Sequence, residues 1–250
     1  MSAQQGGYFY PWASVLGAGD GEGAYTALVE AHLTPETVVL DAGCGHGEDM
    51  LLFAPKVRRF LGYDAVESFI AIARRRAAEA GLAHVELTLA NSSARFNGGA
   101  VRIPAADGEV DLIISRRGPS NWIADARRVC RPGARLIQLN PLPAPTPAWN
   151  ADLPGALQLA DNPANPGRPQ LAAEIEAALA AVNLAFERAE VIDVAETFET
   201  APDLYRYLTF MRFEPGVPSW DEARAPLERL LAQGPAATRQ RRLLWSAVVG

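Results

Sequence analysis

"VVLDAGCGHGED", residues 38–49, decides how the chain is read. An apolar run ends in Asp41, and glycine then stands at every second position, Gly43, Gly45 and Gly47. A short apolar run bounded by turns is the pattern of a strand buried on both faces. Glycines directly after such a strand permit a tight turn and let ligand atoms approach the backbone. Downstream, a helix is expected from Glu48, then a strand over 59–64, "RFLGYD", then a helix over 67–80. In that helix Phe69, Ile70, Ala73 and Ala77 share one stripe, and Gly81 follows where a left-handed residue ends a helix. Strand, glycine loop, helix, strand and acid form the opening of a doubly wound sheet, whose ligands lie at the carboxyl ends of the strands.

The spacing narrows the ligand. A dinucleotide loop is G-x-G-x-x-G, with its last glycine under a pyrophosphate. Here Glu48 takes the place of that last glycine, and its charge would repel a pyrophosphate. No G-K-[ST] follows, so the loop is not a P-loop either. It suits an adenosine-containing ligand without phosphates. Asp64, 21 residues after Gly43, ends the second strand and can accept bonds from both ribose hydroxyls. Nicotinamide enzymes share that acid, so by itself it reads only as ribose recognition.

Composition sets the outer bounds. The chain has 250 residues, 49% of them hydrophobic, enough for one sizeable core and at most a small second lobe. A net charge of −6 weighs against a nucleic-acid partner, since phosphate contacts leave a basic face. Arginine outnumbers lysine 22 to one, and with the abundant Ala, Gly and Pro this matches a GC-rich coding bias, so it is not read as phosphate binding. Cys44 and Cys130 are far apart, and His32, His46 and His84 are scattered, so no disulfide framework or metal site is expected. The first basic residue is Lys56, and no apolar run approaches the ~20 residues of a membrane span. The expectation is a cytoplasmic protein with no membrane partner.

Further strands are expected at 84–90 and 111–115, with a helix over 122–130 and a fifth strand after "RPGA". A Pro-rich excursion over 141–169, a helix over 170–182 and a strand over 185–194 come next. Leu204, Tyr207, Leu208 and Met211 have the spacing of a helix core, while Tyr205, Arg206 and Arg212 could face an acceptor pocket. The aromatic cap Tyr8, Phe9, Tyr10 and Trp12, among glycines, reads as a lid or as simple packing, with Tyr25 placed to join it. Arg74, Arg75 and Arg76 read as a solvated helix face, and Trp122 and Cys130 as core.

Four segments in order, "VVLDAGCGHGED", "FLGYDAVESFIAIARR", "VDLIISRRGPSN" and "ARRVCRPGARLIQLNP", resemble class I S-adenosylmethionine (SAM)-dependent methyltransferases over roughly residues 37–141. The end, "LLWSAVVG", is similar to that family's antiparallel last strand. The resemblance implies an α/β fold, a doubly wound seven-stranded and mostly parallel sheet with helices on both faces. It implies one domain with a cap over 1–36 and insertions at 141–169 and 196–238 that form the acceptor pocket. The implied cofactor is SAM, with S-adenosylhomocysteine (SAH) as product. Asp41 and the backbone of Gly43, Cys44 and Gly45 would hold its methionine end, Asp64 its ribose, and Asn91 or Ser92 its adenine, with Gly47 and Ala65 also in the cofactor-binding set. Ser115 would open the segment where donor meets acceptor. Asn91 stands where the family usually has an acid, and its side chain can both donate and accept. Ser-Arg-Arg-Gly-Pro at 115–119 replaces the Asn-Pro-Pro-Tyr of many amino-methylating relatives.

Methyl transfer requires alignment of donor and nucleophile in a dry site, and a general base only when the acceptor is protonated. Candidates are few. His46 could reach the site but reads first as a solvent-facing loop residue. Arg116 or Arg117 could pair with an acidic substrate, or be held in an ion pair. The leading expectation is a small-molecule acceptor. The alternatives are an RNA-base methyltransferase, a non-catalytic SAM or SAH binder, and a nicotinamide oxidoreductase, against which Glu48 counts. Nothing in the sequence speaks to oligomeric state.

Overall fold

A computed structural model describes residues 11–159, 170–210, 212 and 215–250. Along the chain run β1 (Val15–Leu16), α1 (Glu22–Glu30), β2 (Val38–Ala42), α2 (Glu48–Phe53), β3 (Arg59–Asp64), α3 (Glu67–Glu79), β4 (Val85–Leu89) and β5 (Val110–Arg116). After them come α4 (Ile123–Val129), β6 (Cys130–Leu142), α5 (Leu171–Ala181), β7 (Phe186–Phe198), α6 (Ala201–Thr209), α7 (Trp220–Leu231) and β8 (Ala236–Val248). The strands form one sheet in the order β1-β7-β8-β6-β5-β2-β3-β4. Its β6-β5-β2-β3-β4 part is parallel throughout, and β1 runs antiparallel to β7. The sheet has eight strands where seven were expected. The additional one is the two-residue β1, too short for an alternating pattern to reveal.

The chain divides into two compact units. One comprises residues 21–140, 170–191 and 243–250. Its centre is β2, all five of whose residues are buried, flanked by β3 and β5 in parallel register, with Asp41 opposite Gly62 and Ile114. That burial on both faces is why "VVLDA" is an unbroken apolar run up to its acid. Gly62 is needed beside it, because a Cβ there would lie 3.2 Å from Cys44 and 2.8 Å from Leu87 Cδ2.

The other unit comprises residues 1–20, 141–169 and 192–242. Leu153, Leu157, Phe198, Leu204, Leu208, Leu227 and Leu230 form its core. Thr200 caps α6 by accepting the Asp203 N–H, and Ser219 with Glu222 forms a capping box on α7. Trp12 meets Tyr207 edge-on at 5.3 Å, and its Nε1 donates to Glu196 at 3.4 Å. Tyr205 donates to the Pro218 carbonyl and Arg206 pairs with Asp203. Tyr8, Phe9, Tyr10 and Met211 lie outside the described residues.

Candidate functional site

All ten residues expected around the cofactor lie in the unit that holds β2. Gly43, Gly45 and Gly47 have φ of 81°, 52° and 82°, the left-handed region that strains residues with a side chain. Packing adds to this at Gly47, where a Cβ would lie 2.9 Å from Met50 and 3.2 Å from Ala73. The turn consumes its own amides. The N–H groups of Gly43 and Cys44 both donate to the Tyr63 carbonyl at 2.9 Å, and that of Gly47 to the Cys44 carbonyl at 3.0 Å. The N–H of Gly45 donates to Asp64 Oδ2 at 3.0 Å. A phosphate-binding loop aims its amides at the ligand. This loop turns them onto protein, in keeping with the reading of Glu48 as a bar to pyrophosphate.

Asp64 closes the loop from the neighbouring strand. Its Oδ1 accepts the Val66 N–H at 2.9 Å while Oδ2 holds Gly45. A carboxylate has about four lone-pair directions, so acceptor capacity remains. The side chain is half-buried and Ala65 beside it is exposed, which leaves this edge open to a ligand.

Asp41 is the opposite case. It is only 2% exposed, and among the described residues no group donates a hydrogen bond to its carboxylate. Burial, reinforced by Asp49, pushes its carboxyl well above the usual range, and Arg116 only partly opposes this. Arg116 is committed elsewhere. It donates a hydrogen bond to Glu22 at 2.9 Å, forms an ion pair with Asp49 at 2.7 Å, and lies over the Tyr25 ring. Tyr25 donates to the second Asp49 oxygen at 2.8 Å. Burial alone would lower Arg116, but Asp49 and Glu22 outweigh it and hold the guanidinium firmly cationic. Of the two readings left open for Arg116, the structure shows the ion pair. The Tyr25 ring is buried and meets Phe53 edge-on, with ring centroids 6.5 Å apart.

Two further expectations are corrected. His46 does not face solvent: it is 8% exposed, with its ring 4.1 Å from Phe69, and burial lowers its pKa. Arg76 is not part of a solvated face. Its Nη1 donates to the His46 carbonyl at 3.1 Å and reaches Glu48 at 3.2 Å, so α3 props the glycine loop from behind. Arg75 does sit on an exposed surface, paired with Glu79.

Asn91 and Ser92 follow β4. The Asn91 side chain accepts the Ser93 N–H at 3.0 Å, and the buried Ser92 hydroxyl accepts from Tyr63 at 3.2 Å and from Asn121 at 3.3 Å. Ser115 lies beneath the loop and donates to the Ala42 carbonyl at 2.7 Å. Arg117, at a left-handed φ of 66°, turns the chain after β5, and its N–H donates to Leu139. Gln138, buried on β6, donates to the Gly118 carbonyl at 2.9 Å and so anchors this turn. Pro119 then lies 3.5 Å from where a Cβ of Gly43 would stand.

Asp49, Tyr25, Arg76 and Gln138 are the site residues that sequence reasoning missed. A polar Gln138 inside the apolar "LIQL" was the available signal, as was the second acid of "GED" ahead of an apolar helix. Cys44 is buried, and burial pushes its thiol up, so it packs and does not react. Among the described residues no cluster of His, Cys, Asp and Glu could hold a metal, and no helix is long and apolar enough to cross a membrane.

Residues 39–134 match the family described as a methyltransferase domain. An uncharacterized 37.1 kDa protein in transposon TN4556 of Streptomyces fradiae is 33% identical over 116 residues, 43% of this chain and 31% of that protein. The chain thus spans less than a third of that curated relative. A functionally unknown protein from Deinococcus radiodurans R1 has a similar structure, with 26% identity and a TM-score of 0.66 over 98% of this chain and 95% of that one. Geranyl diphosphate C-methyltransferase from Streptomyces coelicolor A3(2), solved with Mg2+, geranyl diphosphate and SAH, shares the fold at 18% identity. There the TM-score is 0.51, over 92% of this chain and 81% of that one. Residues 39–134 thus match a methyltransferase-domain family, and the chain shares the mostly parallel α/β fold of these solved structures.

Proposed function

We propose that this protein transfers the methyl group of SAM to a small-molecule acceptor. One observation carries the cofactor assignment. Two carboxylates, Asp41 and Asp64, end adjacent parallel strands on either side of a glycine loop whose amides are already bonded to protein. This arrangement fits a ligand with a cation at one end and a diol next to it, and it does not fit a pyrophosphate. Asp41 would hold the α-ammonium, Asp64 the ribose hydroxyls, and Asn91 and Ser92 would border the adenine. SAM supplies an activated methyl group on a sulfonium, open to in-line displacement.

The protein's own part is alignment and exclusion of water. Ser115, Gln138 and Gly118 hold the turn after β5 close to Gly43, which fixes the edge where an acceptor would meet the methyl group. Arg116, bonded to two acids, holds that edge and is not assigned to the acceptor. The acidic composition favours a small molecule over RNA.

Calorimetric titration with SAM and SAH, with NAD and Asp64→Ala as controls, tests the reading. Micromolar binding of both nucleosides, lost in Asp64→Ala, with no NAD binding, is expected. A folded protein that binds neither SAM nor SAH would overturn it.

A further inference from the structure

The cofactor site of the preceding section contains a buried acid with no counter-charge of its own. Asp41 is 2% exposed, and no described residue donates to its carboxylate. The charged and titratable groups around it come from four elements. From α2 come Asp49 and Glu48, from β3 Asp64 and Tyr63, from α1 Tyr25, and from β5 the cation Arg116. Cys44, on the loop itself, is neutral because burial pushes its thiol up. Arg116 is already hydrogen-bonded to Glu22 at 2.9 Å and ion-paired with Asp49 at 2.7 Å. Tyr25 spends its hydroxyl on Asp49. An isolated carboxylate in such a place is strongly disfavoured and takes up a proton instead.

We propose that the site exchanges a proton for the ligand's ammonium at Asp41, because the Glu22–Arg116–Asp49–Tyr25 network leaves that carboxyl without a neutralising partner. In the free protein Asp41 is a neutral acid. When the α-ammonium of SAM or SAH arrives, the Asp41 proton leaves to solvent, and the carboxylate pairs with the ammonium. One positive charge replaces another, and the site's net charge is unchanged. Glu22 and Asp49 engage the Arg116 guanidinium and so keep it from neutralising Asp41. The upward displacement of the Asp41 carboxyl by burial and by Asp49 agrees with this geometry.

The sign of the linkage follows. Below the midpoint of Asp41 in the free protein, each unit of falling pH weakens ligand binding about tenfold, because a proton must first be removed. Above it, binding is independent of pH until the ligand's α-amino group titrates, at about pH 8.

The inference rests on the proposed cofactor, and the test separates the two. SAH is titrated into the full-length protein by calorimetry from pH 5.5 to 8.5, at each pH in buffers of different ionisation enthalpy. Proton release per SAH bound should approach one at the acid end, fall towards zero as Asp41 ionises, and give way to proton uptake at the alkaline end, where the ligand's α-amino group titrates. In parallel, infrared spectra of the free protein should show the carbonyl stretch of a buried neutral carboxyl. That band should vanish on SAH binding and be absent from Asp41→Asn, whose folding is checked by circular dichroism. SAH binding with no proton release at any pH would overturn the exchange and leave the cofactor standing. A band that persists in Asp41→Asn would move the proton to Asp49 and overturn the assignment to Asp41. Failure of SAH to bind folded protein would overturn the cofactor and this inference together.

Discussion

The ends of β2 and β3 lie side by side and carry the same side chain in opposite states. Asp64, on β3, accepts two backbone N–H bonds and is half-buried. Asp41, on β2, is almost wholly buried and accepts none from the described residues. The first carboxylate is part of the turn, and the second is held ready for something the turn does not supply. Identical chemistry one strand apart thus divides into a structural acid that keeps spare acceptor capacity and a binding acid that weakens the free fold. Replacing each in turn, and disturbing the network behind Asp41, sharpens or breaks that division.

The largest effect should come from Arg116→Met, which leaves the buried Asp49 without this ion pair and takes one cation from the half-buried Glu22. Loss of about 3–5 kcal/mol in denaturant unfolding is expected. A loss within measurement error would mean that the network is not formed. Next is Asp64→Ala, which frees two backbone donors and removes the ribose acceptor. Stability should fall by about 1–3 kcal/mol and SAH affinity by roughly 100-fold, by thermal melt and calorimetry. Asp41→Asn should move the other way. The amide is neutral without taking up a proton, so the free protein's Tm at neutral pH should rise by about 2–4 °C while SAH binding is lost. A fall in Tm would erase the contrast between the two acids.

The pH dependence of the free protein tests the same point. Burial raises the Asp41 carboxyl in the folded state, so its neutral form is favoured on folding. Its contribution is fully present below the unfolded value of about 4 and is lost as pH rises through the raised midpoint. Melting temperature should therefore decline from weakly acidic towards neutral pH, and less steeply in Asp41→Asn. The smallest effect belongs to Tyr25→Phe, which costs Asp49 one donor in exchange for no cavity. About 1 kcal/mol is expected, with SAH affinity changed less than threefold.

Much of this was legible in the residues. The run Val38–Ala42, the glycines in left-handed conformation and Asp64 at the end of the next strand all depend on short-range spacing, which a sequence displays directly. The fates of Arg116, Tyr25 and Arg76 were not legible. Arg116 pairs with Glu22, 94 residues away, and Arg76 reaches a carbonyl 30 residues back. Such partners depend on how α1, α2 and α3 pack around one loop, and no local pattern encodes that.

By itself, then, the sequence determined the parallel α/β core, the loop unsuited to pyrophosphate and the identity of both acids. These follow from backbone sterics and strand periodicity, which act over a few residues. Only the tertiary structure decided that one acid is bonded and the other bare, that His46 is buried and that Arg116 is committed to an ion pair. Desolvation and ion pairing depend on which distant groups share a buried volume, and that is set when the chain folds.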